Sequence, residues 1–159
     1  DIAAFQIAQA ARFIQELCDV THTHELLNAA CLAPYNNPRF GLPSWAAIAA
    51  IPSLDILGAT LFWHLKGEPV VPYIQRWAGE VLDLCGRNGK EAQVWLQAFL
   101  VDEGREPEIE IAAQTAHEAG IRNIAAWGFK GCGHMSSLRP ARPEAVWRSV
   151  RAAFSQLNP

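Results

Sequence analysis

Apolar residues recur along this chain in a fixed order. A short continuous apolar run is followed by a stretch in which apolar positions return every three or four residues. The short runs are residues 27–33 (LNAACLA), 54–60 (LDILGAT), 92–99 (AQVWLQAF) and 122–128 (RNIAAWG). Helical periodicity follows them at residues 44–51, 71–85, 107–119 and 143–157. Apolar strands alternating with amphipathic helices predict a parallel sheet covered on both faces. In such sheets ligands and reacting groups gather at the carboxyl ends of the strands, on the loops that enter the helices.

The chain opens differently. Ile2, Phe5, Ile7, Ala8, Ala11, Phe13, Ile14 and Leu17 give a helical pattern with no strand before it. That helix reads as the end of a preceding unit, so a truncated or halved protein is the expectation. Turn chemistry marks the joints elsewhere. PYNNPRFGLP at 34–43 leads to Ser44, a good N-cap, and Pro52 stops the short helix after it. Gly86 is expected to end the next helix, with Asn88-Gly89 making the turn into the third strand. Pro107 suits a helix start, and Glu106, Glu108 and Glu110 suit the positive end of its dipole.

Four parallel units amount to half of an eight-unit barrel, with two strand edges left open to pairing with another chain. The expected fold is therefore α/β, four parallel βα units equivalent to half of a (β/α)8 barrel, preceded by an N-terminal helix. With 159 residues, half of them hydrophobic, residues 1–159 form a single domain with one sizeable core. The expected partner is a second copy or a missing N-terminal half.

A net charge of −3 gives no global reason to expect nucleic acid. The charge is uneven, however. Beyond Gly120 the bases are Arg122, Lys130, Arg139, Arg142, Arg148 and Arg151, against the single acid Glu144. This basic last quarter reads first as a solvated helix face and second as an attraction for an anionic ligand. The cysteines at 18, 31, 85 and 132 show no C-x-x-C spacing, those at 18, 31 and 85 suit small buried positions, and a reduced, cytoplasmic protein is expected. No apolar run is long enough to span a bilayer, so no membrane partner is expected.

The run GKEAQVWLQAF at 89–99, the acidic GRE loop after it, and EAGIRNIAAWGFKGCGHMS further on resemble the last two units of glycoside-hydrolase-like (β/α)8 barrels. LNAACLAP and IPSLDILGATLFW resemble the fifth and sixth strands of such barrels. The resemblance spans nearly the whole chain and implies the C-terminal half of such a barrel. It implies a saccharide ligand and a pair of carboxylates at strand ends. One of those carboxylates commonly follows the fourth strand, which this half would lack. After the second strand, where an acid is expected, the chain has Ala59, Thr60, Leu61, Phe62 and Trp63.

Asp102 and Glu103, just beyond the third strand, are the candidate catalytic acids. Gln97 is the expected centre of substrate binding, because an amide inside an apolar strand must find a partner. Trp63 and Trp127 are expected to offer ring faces to a sugar, with Tyr35 on the loop after the first strand. Trp95, Gln97 and Phe99 share one strand face, and Trp95 is expected to be buried structure. Lys130 and His134 lie on the glycine-rich loop after the last strand, where backbone N–H groups cradle phosphate in some barrels. A phosphate-ligand barrel and a non-catalytic binding half-barrel are the competing readings. Cys132-x-His134 and His22-x-His24 lack further ligands, the latter pair preceding the first strand. No metal and no cofactor is expected.

Overall fold

A computed structural model describes residues 2–34, 42–135 and 137–157. Helix α1 (Ile2–His22) leads into strand β1 (Ala29–Leu32), short helix α2 (Ala46–Ala49) and strand β2 (Ile56–Leu61). Then come α3 (Trp63–Lys66), α4 (Val70–Asn88), β3 (Glu91–Gln97), α5 (Glu108–Ala119) and β4 (Asn123–Trp127). A 3-10 turn at Phe129–Cys132 and α6 (Pro143–Leu157) complete the described chain.

The four strands form one parallel sheet in the order β1-β2-β3-β4. Each strand neighbours the next in sequence, the order in which βα units follow one another around a barrel. Leu57, Ala59 and Leu61 on β2, with Val94 and Leu96 on β3, are fully buried. They meet Ile74, Trp77 and Val81 of α4 and Ile109, Ala112 and Ala116 of α5, which are buried equally. These apolar faces are the physical reason the strands and helices of the core form together.

The helices cover one face of the sheet, not both. On the opposite face the register aligns Cys31, Gly58, Gln93 and Asn123 in one row and Thr60, Trp95 and Ala125 in the next. Most of these residues are at least partly exposed. The expectation of two covered faces came from treating the strands as continuously apolar. Gln93, Asn123 and Thr60 instead give them a polar alternate face, as befits strands that line a barrel.

Two short elements escaped the periodicity. Residues 63–66, between the second apolar run and the helical periodicity that starts at 71, form α3, and the glycine-rich loop contains the 3-10 turn. Helix α4 runs through Gly86 to Asn88, whose side-chain amide donates to the Leu84 carbonyl at 2.8 Å. Gly89 then ends it in the left-handed region, φ +63°.

The amino ends of β1 and β2 are tied to α1. Asp55 Oδ2 accepts the Asn28 N–H at 2.7 Å and lies 3.0 Å from His22 Nε2. The hydrogen bonds from His22 and from the Asn28 backbone hold the Asp55 carboxyl below its ordinary range. His22 thus serves the end of the sheet opposite the loops that leave the strands' carboxyl ends.

Along α1 only Cys18 is buried. Phe5, Phe13, Leu17 and Val20 are exposed and form an apolar stripe along α1. No helix among the described residues is long and apolar enough to cross a membrane.

Candidate functional site

The open sheet face and three loops meet at the carboxyl ends of the strands. Cys31, Thr60, Phe62, Trp95 and Trp127 line a cavity of about 310 Å3 there. Trp127 ends β4 opposite Gln97 and leaves 44% of its surface exposed. Trp95 is half-buried on the same face rather than enclosed, and its indole N–H donates to Gln93 Oε1 at 2.6 Å. Gln93 in turn donates to Asn123 Oδ1 at 3.0 Å, and Asn123 to Glu91 Oε1 at 2.7 Å. The chain of amides fixes the orientation of the Trp95 ring. Phe62 is held edge-on against Phe99, with centroids 5.0 Å apart. The result is an aromatic floor with one indole, Trp127, open above it.

The loop between β3 and α5 carries the acids. Asp102 Oδ2 lies 3.1 Å from His64 Nε2, and the Asp102 N–H approaches the same nitrogen at 3.3 Å. The carboxylate is well exposed, whereas the imidazole is almost enclosed, its Nδ1 buried without a hydrogen-bond partner among the described residues. Glu103 Oε1 is 3.4 Å from Arg142 Nη1, which links this loop to the one after β4. Glu106 is buried: its Oε2 accepts the Gly104 N–H at 2.8 Å, and its Oε1 lies 3.6 Å from Arg142 Nε.

Glu108 joins α3 to α5. Its carboxylate accepts the Trp63 indole N–H at 2.7 Å and two Arg105 N–H groups at 2.8 and 2.9 Å. Burial pushes its carboxyl up, but the hydrogen bonds from Arg105 and Trp63 outweigh that and hold it below the ordinary value.

Two residues expected on the ligand surface are placed elsewhere. Trp63 is fully buried and bonded to Glu108, so its ring faces no solvent. Gln97 is also fully buried. Its Oε1 accepts the N–H groups of His64 and Leu65 at 3.2 and 3.4 Å, and its amide donates to the Phe99 carbonyl at 2.9 Å. The strand amide found its partner inside the protein, as a clamp on the first turn of α3. Tyr35 lies outside the described residues.

Lys130 and His134 are exposed on the rim of a second cavity, of about 520 Å3, beside the start of α6. Cys132 is buried and burial raises its thiol pKa, which disfavours a thiolate nucleophile there. Among the described residues no group of three or more His, Cys, Asp or Glu side chains is placed to hold a metal ion.

Sequence reasoning missed His64, Glu106 and Arg142 as neighbours of the acids. His64 and Asp102 are 38 positions apart, and Glu103 and Arg142 are 39 apart. The only signal available was that all three flanking loops leave parallel strands on the same end.

The chain has the fold of half a (β/α)8 barrel. The endo-1,4-β-mannanase of Rhizomucor miehei superposes with a TM-score of 0.70 at 14% identity, over 95% of this chain and 46% of the mannanase. The endo-β-1,4-mannanase of Thermotoga petrophila gives 0.63 at 12% identity, over 96% of this chain and 41% of that enzyme. The chain therefore spans less than half the length of the enzymes whose fold it shares. No family model and no curated protein matches it in sequence.

Proposed function

We propose that this chain is the C-terminal half of a glycoside-hydrolase-like barrel and binds saccharide at the carboxyl ends of its strands. The observation that carries the reading is the exposed Trp127 indole above the aromatic cavity, beside the Asp102–Glu103 loop. A sugar's C–H face stacks on such a ring, and nearby polar groups bond its hydroxyls. The half-barrel fold it shares with two mannanases supports a saccharide as the ligand.

Hydrolysis needs two carboxyl groups about 5 to 9.5 Å apart, flanking one glycosidic bond. Asp102 and Glu103 are this half's candidates for one acid or base, and they sit on a single loop. We therefore assign catalysis only to the completed barrel, and ligand binding to this half. A second copy or a separate four-strand half completes the sheet, a reading supported by the β1 and β4 edges, unpaired among the described residues, and the exposed apolar stripe of α1.

The test is quenching of tryptophan fluorescence by β-1,4-linked oligosaccharides in the intact chain and in Trp127→Ala. Saturable quenching lost in the variant supports the reading. Quenching that survives in Trp127→Ala, or none in either protein, overturns it.

A further inference from the structure

The groove after β4 shares no lining residue with the aromatic cavity. Lys130, His134, Arg139, Arg142 and Arg148 line its cavity of about 520 Å3 with a single carboxylate, Glu144. Among the described residues, only Arg142 of the four Lys and Arg side chains stands within 4.0 Å of an acid. The Lys130 ammonium rests 5.5 Å from the Phe129 ring centroid, a contact that leaves its charge uncompensated. Like charges gathered round one cavity repel each other, and a bound anion removes that repulsion.

The backbone holds these cations together. Gly131 adopts φ +62°, and a Cβ there would stand 2.4 Å from the Pro143 carbonyl oxygen. Only glycine allows the loop to press so closely on the first turn of α6. That contact brings Lys130 to the same rim as Arg142 and Arg148. The positive end of the α6 dipole adds to the field of the side chains. Arg142 also reaches Glu103 and Glu106, so the groove adjoins the carboxylate loop of the proposed cleft.

We infer that this groove is an oxyanion subsite, taking the carboxylate or phosphate group of an acidic saccharide whose sugar rings lie toward Trp127. Guanidinium groups suit both oxyanions, since each offers paired N–H donors in a fixed plane. The saccharide part of the inference rests on the proposed function. The oxyanion part stands on the groove alone.

The experiment titrates the full chain with inorganic phosphate, glucose 6-phosphate, tetragalacturonate and cellotetraose, following amide resonances of residues 129–148 and the binding heat. The expected result is that phosphate shifts these resonances, and that at least one acidic sugar binds about tenfold or more tightly than cellotetraose. The double variant Arg139→Glu/Arg148→Glu should abolish that difference and leave cellotetraose binding as it was. If glucose 6-phosphate alone shows the preference, the group is a phosphate; if tetragalacturonate alone does, it is a uronate. Equal binding of acidic and neutral sugars overturns the subsite while the saccharide cleft stands. Phosphate shifts without any sugar binding overturn the cleft while the oxyanion site stands. Resonances of 129–148 that respond to no anion overturn the inference altogether.

Discussion

The indole N–H of Trp63 donates to Glu108 Oε2 at 2.7 Å, joining the turn after β2 to the first turn of α5. A tryptophan at a strand exit was thereby turned inward, because its polar edge finds a carboxylate behind the sheet. The same carboxylate anchors Arg105, so one acid fixes the approach to the Asp102–Glu103 loop. Glu108→Ala strands a buried indole N–H and should cost about 1–3 kcal/mol in a denaturant melt. Because the Glu108 carboxyl is held below its ordinary value, its contribution is present above the unfolded carboxylate range and fades as pH falls through the folded value. The stability gap between the parent and Glu108→Gln should accordingly close in acid. A gap that is constant with pH would show that the pairing contributes nothing through charge.

Gln97→Ala should destabilise the fold. Its amide serves the His64 and Leu65 N–H groups and the Phe99 carbonyl, and each buried group left unpaired costs about 1–3 kcal/mol. Chemical denaturation of the variant should show a loss of that order. A loss well under 1 kcal/mol would mean that water replaces the amide and the strand end is open after all.

Trp127 and Trp77 offer a paired contrast. Trp77 is fully buried among the α4 contacts, and truncation to Ala should cost about 3–5 kcal/mol through lost burial and the cavity left behind. Trp127 is 44% exposed, so its truncation should cost much less and act chiefly on ligand quenching. Equal losses of melting temperature in the two variants would make Trp127 a structural residue.

Asp55 sets an acid limb at the opposite end of the sheet. Its carboxyl is depressed by the His22 hydrogen bond and then by the Asn28 N–H, so its folded form favours the charged state. The stabilisation is complete above the unfolded carboxylate range and is lost as pH falls through the lower, folded value. Asp55→Asn should melt earlier than the parent at neutral pH, with the difference shrinking in acid. Melting curves recorded across that range check it, and a difference that widens on acidification would contradict it.

The barrel rhythm was legible because Leu57, Ala59, Leu61, Val94 and Leu96 face helices whose own apolar residues recur at helical spacing. Local periodicity carries that information in every unit. The site was less legible, because its contacts join residues far apart in sequence. Gln97 illustrates the difficulty. The sequence requires a partner for a strand amide but does not say whether that partner is a ligand or the backbone of α3. Trp63 is a second case, since nothing local distinguishes an indole turned to Glu108 from one turned to solvent. The exposure of Trp127 and Lys130 was readable for a simpler reason. Both lie at the exit of β4, and among the described residues no buried carboxylate claims either.

Helix α1 makes the last expectation quantitative. Phe5, Phe13, Leu17 and Val20 are all more than half exposed, while Ala10, Ala11 and Ile14 pack toward the core. Helix α1 precedes β1, and among the described residues β1 and β4 are the two edge strands of the sheet. Burying one such large side chain is worth about 1.5–3 kcal/mol, so several together supply a strong drive toward a covering partner. Light scattering of the pure chain at micromolar concentration should therefore give a mass above the 17.5 kDa of one chain. Phe5→Ser with Phe13→Ser should return it to the monomer with unchanged helix content, since neither ring packs in the core. A well-folded monomer of the parent chain would rule out a second copy as the partner and leave a distinct four-strand half as the remaining candidate. A parent that is oligomeric yet unaffected by the double substitution would move the interface away from α1, to the sheet edges alone.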